Sequence, residues 1–248
     1  MLVLLLASGC YTKNVRVAVS QEDLAKAASL LRDGDAAFDR RDFYAALIKC
    51  LDSSRLNPND DLMWNRLGIA YSQLKYYDEG IAAFKHSIRL NSKYANSVNN
   101  LGSAFFARRE FKKAEKHFKK AIRMDAKEAT FHMNLGSLYF ERKKINEALI
   151  EWRKGLALNP DILTKSTAIS MSIAGENSFS KDKAFLFARI YAMAGNAPKA
   201  IESLEQALKD GFSDLNAIQR QPDFYRIRND EQFIKFMKDA LFWTSPKQ

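Results

Sequence analysis

The chain has 248 residues, enough for one or two ordinary domains or one elongated repeat array, and 47% of them are apolar, ample for a core. Five prolines and ten glycines exclude a long disordered or collagenous segment, and no apolar run reaches the roughly 18 residues of a membrane-spanning helix. A formal net charge of +10 admits nucleic acid, an anionic membrane surface or an acidic partner, and equally a well-solvated basic surface.

The chain begins M-L-V-L-L-L-A-S-G-C, Met1 to Cys10. The apolar run Leu2 to Leu6, then Ala7, Ser8 and Gly9, has the form of a secretory core leading into a cleavage site. With Cys10 behind it the segment resembles the lipobox of bacterial lipoproteins, with Ala7 where that family usually has leucine. The resemblance implies a leader over residues 1–9 and lipidation of Cys10. It also implies a chain anchored at the bacterial cell envelope and facing the periplasm, since more than one acyl chain anchors stably. The alternative is a frayed apolar terminus with an incidental cysteine, and a cytoplasmic protein. Residues 10–26 read as a linker and the start of a helix.

An internal repeat organises the chain from residue 27 onward. Trp64, Leu67, Gly68 and Tyr71 are spaced i, i+3, i+4, i+7, one face of a helix, and Gly80, Phe84 and Ser87 give a second helix the spacing i, i+4, i+7. Thirty-four residues on, Leu67-Gly68 becomes Leu101-Gly102 and then Leu135-Gly136, and Phe84 becomes Phe118 and then Trp152. Thirty-four residues back, Gly68 falls on Gly34, Gly80 on Ala46 and Phe84 on Cys50. Four abutting copies result: 27–60, 61–94, 95–128 and 129–162. Small residues at the Gly68 and Gly80 positions let the two helices approach closely, and aromatic residues fill the space around the contact. Polar turns separate the helices: Arg40-Arg41-Asp42, Arg108-Arg109-Glu110 and Arg142-Lys143-Lys144. Pro58 and Pro160 stop second helices. One such hairpin cannot bury its apolar face, whereas stacked copies can.

A fifth copy fits 181–214 through Ala184 to Tyr191, Gly195-Asn196, Ala200, Leu204 and Ala207. An insert at 163–180 displaces it, and there Ile169, Met171 and Ile173 alternate with serines as a strand would. The tail carries Gly211-Phe212, Pro222-Asp223-Phe224 and Phe233, and reads as a helical cap over 215–248 that seals the last apolar face.

The run W-x2-L-G-x2-Y from Trp64 to Tyr71 resembles the signature of the tetratricopeptide repeat, or TPR. The resemblance implies an all-α fold: a right-handed superhelical TPR solenoid of antiparallel helix pairs with a C-terminal helical cap. It implies a non-catalytic scaffold that binds an extended peptide or protein segment in a concave groove lined by first helices. The implied groove positions lie one, two, five and eight residues after the Trp64 position and count as exposed. Here they hold a column of Arg32, Arg66, Asn100 and Asn134. Beside it stand Asn65 and Asn99, Ser103 and Ser137, and Phe106 and Phe140. Asparagine amides donate and accept, which suits capture of a peptide backbone; the same residues also suit a merely solvated face. No lysine joins them, so the family's carboxylate clamp is not expected.

Catalytic signals are missing. The three histidines, His86, His117 and His132, form no zinc-binding pattern, and none of the hydrolase, P-loop or dinucleotide motifs occurs. Cys50 stands at an aromatic frame position and reads as a buried apolar residue. Neither an enzyme, nor a cofactor or metal, nor a small-molecule substrate is expected. Basic residues crowd one turn and the helix after it: Arg108, Arg109, Lys112, Lys113, Lys116, Lys119, Lys120 and Arg123. In the family, second helices face the convex side. This face is either solvated or a contact for anionic lipid; nucleic acid has less support, because Phe111 and Phe118 serve the repeat frame rather than a stacking platform. The alternative function is an envelope assembly factor that uses this face on anionic membrane or nucleic acid.

Overall fold

The computed structural model describes residues 16–162 and 181–244. The leader, Cys10 and the insert at 163–180 lie outside the described residues. Every element among the described residues is helical, and the chain divides into two compact units.

The first unit comprises α1 (Gln21–Asp39), α2 (Phe43–Leu56), α3 (Asp61–Gln73), α4 (Tyr77–Leu90), α5 (Ala95–Ala107) and α6 (Phe111–Met124). These pack as the pairs α1–α2, α3–α4 and α5–α6, and each pair also packs on the next. The second unit comprises α7 (Ala129–Glu141), α8 (Ile145–Leu158), α9 (Lys181–Met193), α10 (Ala197–Lys209), α11 (Leu215–Arg220), a short 3-10 helix (Pro222–Arg226) and α12 (Glu231–Thr244). Here α7 pairs with α8 and α9 with α10, and the closing elements pack on α9 and α10. Within each unit this is the stacking of helix hairpins that the 34-residue period requires.

Local chemistry starts and stops the helices at fixed places in the repeat. Ser20, Asp42, Asp60, Asn196 and Asp214 cap helix N-termini by accepting a backbone N–H. First helices end on a residue at positive φ: Arg41 (59°), Lys75 (66°), Arg109 (60°), Lys143 (60°) and, in the displaced copy, Gly195 (77°). The following N–H groups, from Asp42, Tyr76, Glu110, Lys144 and Asn196, donate to carbonyls five residues back at 2.9 Å, which closes the helix end. Second helices end at Asn57, Asn91, Asp125 and Asn159, whose side-chain oxygens each accept the N–H two residues on (2.9–3.2 Å). This Asx turn redirects the chain into the next hairpin.

The core follows the small-residue and aromatic columns. Phe84, Phe118 and Trp152 are fully buried, each against the glycine of its own first helix. Cys50 holds the same position in the first repeat, and burial, then the charge of Asp35, push its thiol up to about 12, so it stays a neutral apolar filler. The tail motifs also acquire roles. Phe212 stacks on Phe185 (4.5 Å), Phe224 is buried beside both Phe185 and Phe233, and Asp223 accepts from Arg189 Nε at 2.6 Å. The closing elements therefore dock on α9 through an aromatic cluster and one partly buried ion pair.

Two histidines are expected to make the fold acid-sensitive. His86 stacks on Trp64 (4.1 Å) and His117 on Phe105 (5.4 Å). Burial, then the charge of Arg89, lowers His86 to about 4; burial, then Lys120, Lys116 and Lys85, lowers His117 to about 4. Both rings are thus neutral in the folded chain at pH values where the unfolded chain, near 6.5, begins to take up protons. Unfolding binds protons between these limits, so their contribution to stability is lost as pH falls from 6.5 toward 4. The Tm measured across that range is expected to drop on acidification, and the His86→Gln/His117→Gln variant is expected to show a flatter profile.

Candidate functional site

The implied binding residues all sit on first helices, but not on an open face. In the first unit Asn65, Asn99, Asn100 and Ser103 are buried, Phe106 is partly covered and only Arg32 is well exposed. In the second unit Asn134 and Ser137 are buried and Phe140 is partly covered. The sequence placed these positions on an exposed face; the structure corrects that. A first helix stacked inside the array is covered on several sides at once. In α5, which packs on α3, α4 and α6, all residues from Ser97 to Phe105 are buried.

Burial obliges these polar groups to find partners, and in the first unit they find each other. Asn99 Nδ2 donates to Asn100 Oδ1 (3.3 Å), and Asn100 Nδ2 donates to Asn65 Oδ1 (3.0 Å). Ser97 Oγ lies 3.1 Å from Asn65 Oδ1 and 2.6 Å from Ser87 Oγ, so its single proton serves one of these acceptors at a time, and Ser87 Oγ donates to the Asp61 carbonyl (2.7 Å). One continuous network thus ties α3, α4 and α5 together. Arg66, next to Asn65, donates from Nε to Asp35 Oδ1 at 2.7 Å, joining α3 to α1; the arginine side chain is 15% exposed and the aspartate 34%. Ser103 Oγ has no hydrogen-bond partner among the described residues.

The network therefore fixes the first helices of the first unit against each other, and of the implied groove residues there only Arg32 stands well exposed. A surface backed in this way can meet a partner with little ordering of its own. Asp35 and Ser97 are not evident from helical periodicity alone, although Asp35 carries a signal. It lies one period before Ile69, in the column of Ser103 and Ser137, so extending that column by one repeat sets a carboxylate near Arg66. Among the described residues no group of three metal-ligating side chains converges.

Family models of the tetratricopeptide repeat match residues 62–94 and 99–161. The peroxisomal targeting signal receptor of Saccharomyces cerevisiae is 34% identical over 61 residues, 24% of this chain and 10% of that protein. Small glutamine-rich tetratricopeptide repeat-containing protein 2 of Mycosarcoma maydis is 31% identical over 78 residues, 32% of this chain and 22% of that protein. The chain thus spans less than a quarter of either relative's length. A solved thermophilic TPR protein of Thermus thermophilus is similar in fold, with a TM-score of 0.55 at 16% identity, covering 87% of this chain and 99% of that one.

Proposed function

We propose, for a chain that belongs to the tetratricopeptide-repeat family, that it is a non-catalytic scaffold capturing an extended segment of another polypeptide along the first helices of its first unit. TPR proteins generally mediate protein–protein interactions, and a relative over part of the repeats is by name a receptor for a targeting signal. The observation that carries the proposal is the exposed Arg32 on a first-helix surface whose register the buried network of Asn65, Asn99 and Asn100 and the Arg66–Asp35 pair hold fixed. Arg32 would recruit a carboxylate of the partner, whereas Asn134, one period after Asn100 in the sequence, is buried in the second unit and stands outside this site.

Binding of the purified chain to an array of random peptides tests this. Arg32→Glu, at an exposed site, is expected to leave the fold intact and to weaken binding of the captured peptides by about fivefold, the upper range for an exposed charge pair. The Asn100→Ala variant, which breaks the buried network behind that surface and is checked for folding by circular dichroism, is expected to bind more weakly. Unchanged binding in both variants would exclude this face.

We further propose that Cys10 anchors the scaffold at the bacterial cell envelope, on the strength of the lipobox-like run before it. Mass spectrometry of the mature protein from its native host is expected to find Cys10 lipidated at the new amino terminus, and an unmodified Met1 would overturn it.

A further inference from the structure

Half of the chain's net charge sits on one helix. In α6, six bases against the single acid Glu115 leave +5, where the whole chain has +10. The other second helices are nearly neutral: α4 sets Lys85 and Arg89 against Asp78 and Glu79, and α10 sets Lys199 and Lys209 against Glu202 and Glu205. At about 100° per residue, the six bases of α6 fall in an arc of roughly 120°. Ala114, Phe118 and Ala121, the buried residues, lie on the opposite side.

Two of these charges are answered locally, Lys113 by Glu110 and Lys119 by Glu115. Lys112, Lys116, Lys120 and Arg123 are exposed and form no ion pair among the described residues. They form a row about 16 Å long at 1.5 Å per residue. Lys85 of α4 adds to the same field, since it acts on His117 together with Lys116 and Lys120. The repeat does not require this row. One period earlier the four positions hold Asp78, Ala82, His86 and Arg89, and one period later Asn146, Ile150, Lys154 and Ala157. Like charges at i, i+4 destabilise a helix slightly, so an uncompensated row calls for an anionic surface to face it.

We propose that the outward face of α6 docks the protein on an anionic lipid bilayer. Lysines dominate the row, and a lysine is a point charge suited to a diffuse array of headgroups, whereas geometric recognition of single phosphates favours arginine forks. Single-stranded nucleic acid would need bases to stack, and the face offers no ring: Phe118 is fully buried and Phe111 partly so. The proposal does not depend on the peptide-binding face, which lies on first helices.

The test is vesicle flotation of the full chain carrying Cys10→Ser, so that no lipid anchor contributes. Vesicles are of phosphatidylcholine alone or with about a third phosphatidylglycerol, at low and physiological salt. Binding is expected only to the anionic vesicles, weakening with salt. The Lys112→Gln/Lys116→Gln/Lys120→Gln variant is expected to lose on the order of 100-fold, at roughly fivefold per basic residue. The charge-matched control Lys26→Gln/Lys209→Gln/Lys238→Gln, at exposed sites on α1, α10 and α12, is expected to change binding by no more than a few-fold. Equal binding to both vesicle types overturns the proposal. So does an equal loss in the control, or displacement of the vesicles by a short DNA duplex at lower concentration.

Discussion

Trp152→Ala is expected to destabilise the second unit by about 4 kcal/mol, the middle of the range for removing a buried aromatic side chain. Trp152 is fully buried, and its indole Nε1 donates to the Met133 carbonyl at 3.1 Å. Its rings lie 5.5 Å from Phe140 of α7 and 4.8 Å from Phe187 of α9. One side chain therefore links α7, α8 and α9. The Met133 carbonyl loses the indole donor once the ring is gone, which adds to the cost of the cavity. Trp152→Phe keeps most of the apolar volume and loses the N–H, and is expected to cost about 1–2 kcal/mol. Urea unfolding of the full chain followed by circular dichroism checks both values. In a repeat array local stabilities need not be equal, so hydrogen exchange in Trp152→Ala is expected to rise in α7, α8 and α9 while α1 to α4 keep their protection. A uniform rise over all helices would mean that the two units unfold together.

The stacking is legible in the sequence because the residues that enforce it have one job each. A glycine facing an aromatic at 68 and 84, 102 and 118, or 136 and 152 fixes a helix pair, and the 34-residue period carries the pair along the chain. The polar residues are harder to place. Helical periodicity assigns a residue to a face and says nothing of how many faces are covered. Asn65 and Asn100 share the face expected for a groove, yet both are buried, because stacking covers α3 from α2, α4 and α5, and α5 from α3, α4 and α6. Their partners are set by three-dimensional neighbours such as Ser97 and Ser87, 32 and 22 residues from Asn65. The Asx column at 57, 91, 125 and 159 recurs at the same period as the glycines. Proline as the helix stop accounts only for Pro58 and Pro160, whereas the Asx residue before each hairpin ends all four helices. The basic row of α6 is visible as composition, and the structure adds which four of its charges stand without a local acid.

One substitution at one frame position is expected to change sign between repeats. Gly34→Ala should stabilise the chain by about 0.5–1 kcal/mol, the gain from replacing a helix-interior glycine. A Cβ there would meet Cys50 Sγ and Lys49 Cβ at 3.5 Å, ordinary contact. Gly68→Ala, one period on, should instead destabilise. Its Cβ would lie 2.6 Å from Phe84 Cδ1 and Cε1, in a ring that is fully buried and has nowhere to move. Overpacking of this kind costs about 1–3 kcal/mol and outweighs the helix-propensity gain. The difference comes from the partner column, cysteine in the first repeat and phenylalanine in the second. The Gly68→Ala/Phe84→Leu double variant therefore separates clash from backbone effect. Relief of the clash predicts that the double variant is more stable than the sum of the single changes by about 1 kcal/mol or more, a coupling typical of residues in contact. If Gly34→Ala and Gly68→Ala shift the urea midpoint in the same direction, or the cycle shows no coupling, the close approach of α3 to α4 through Gly68 is not what holds the second repeat together.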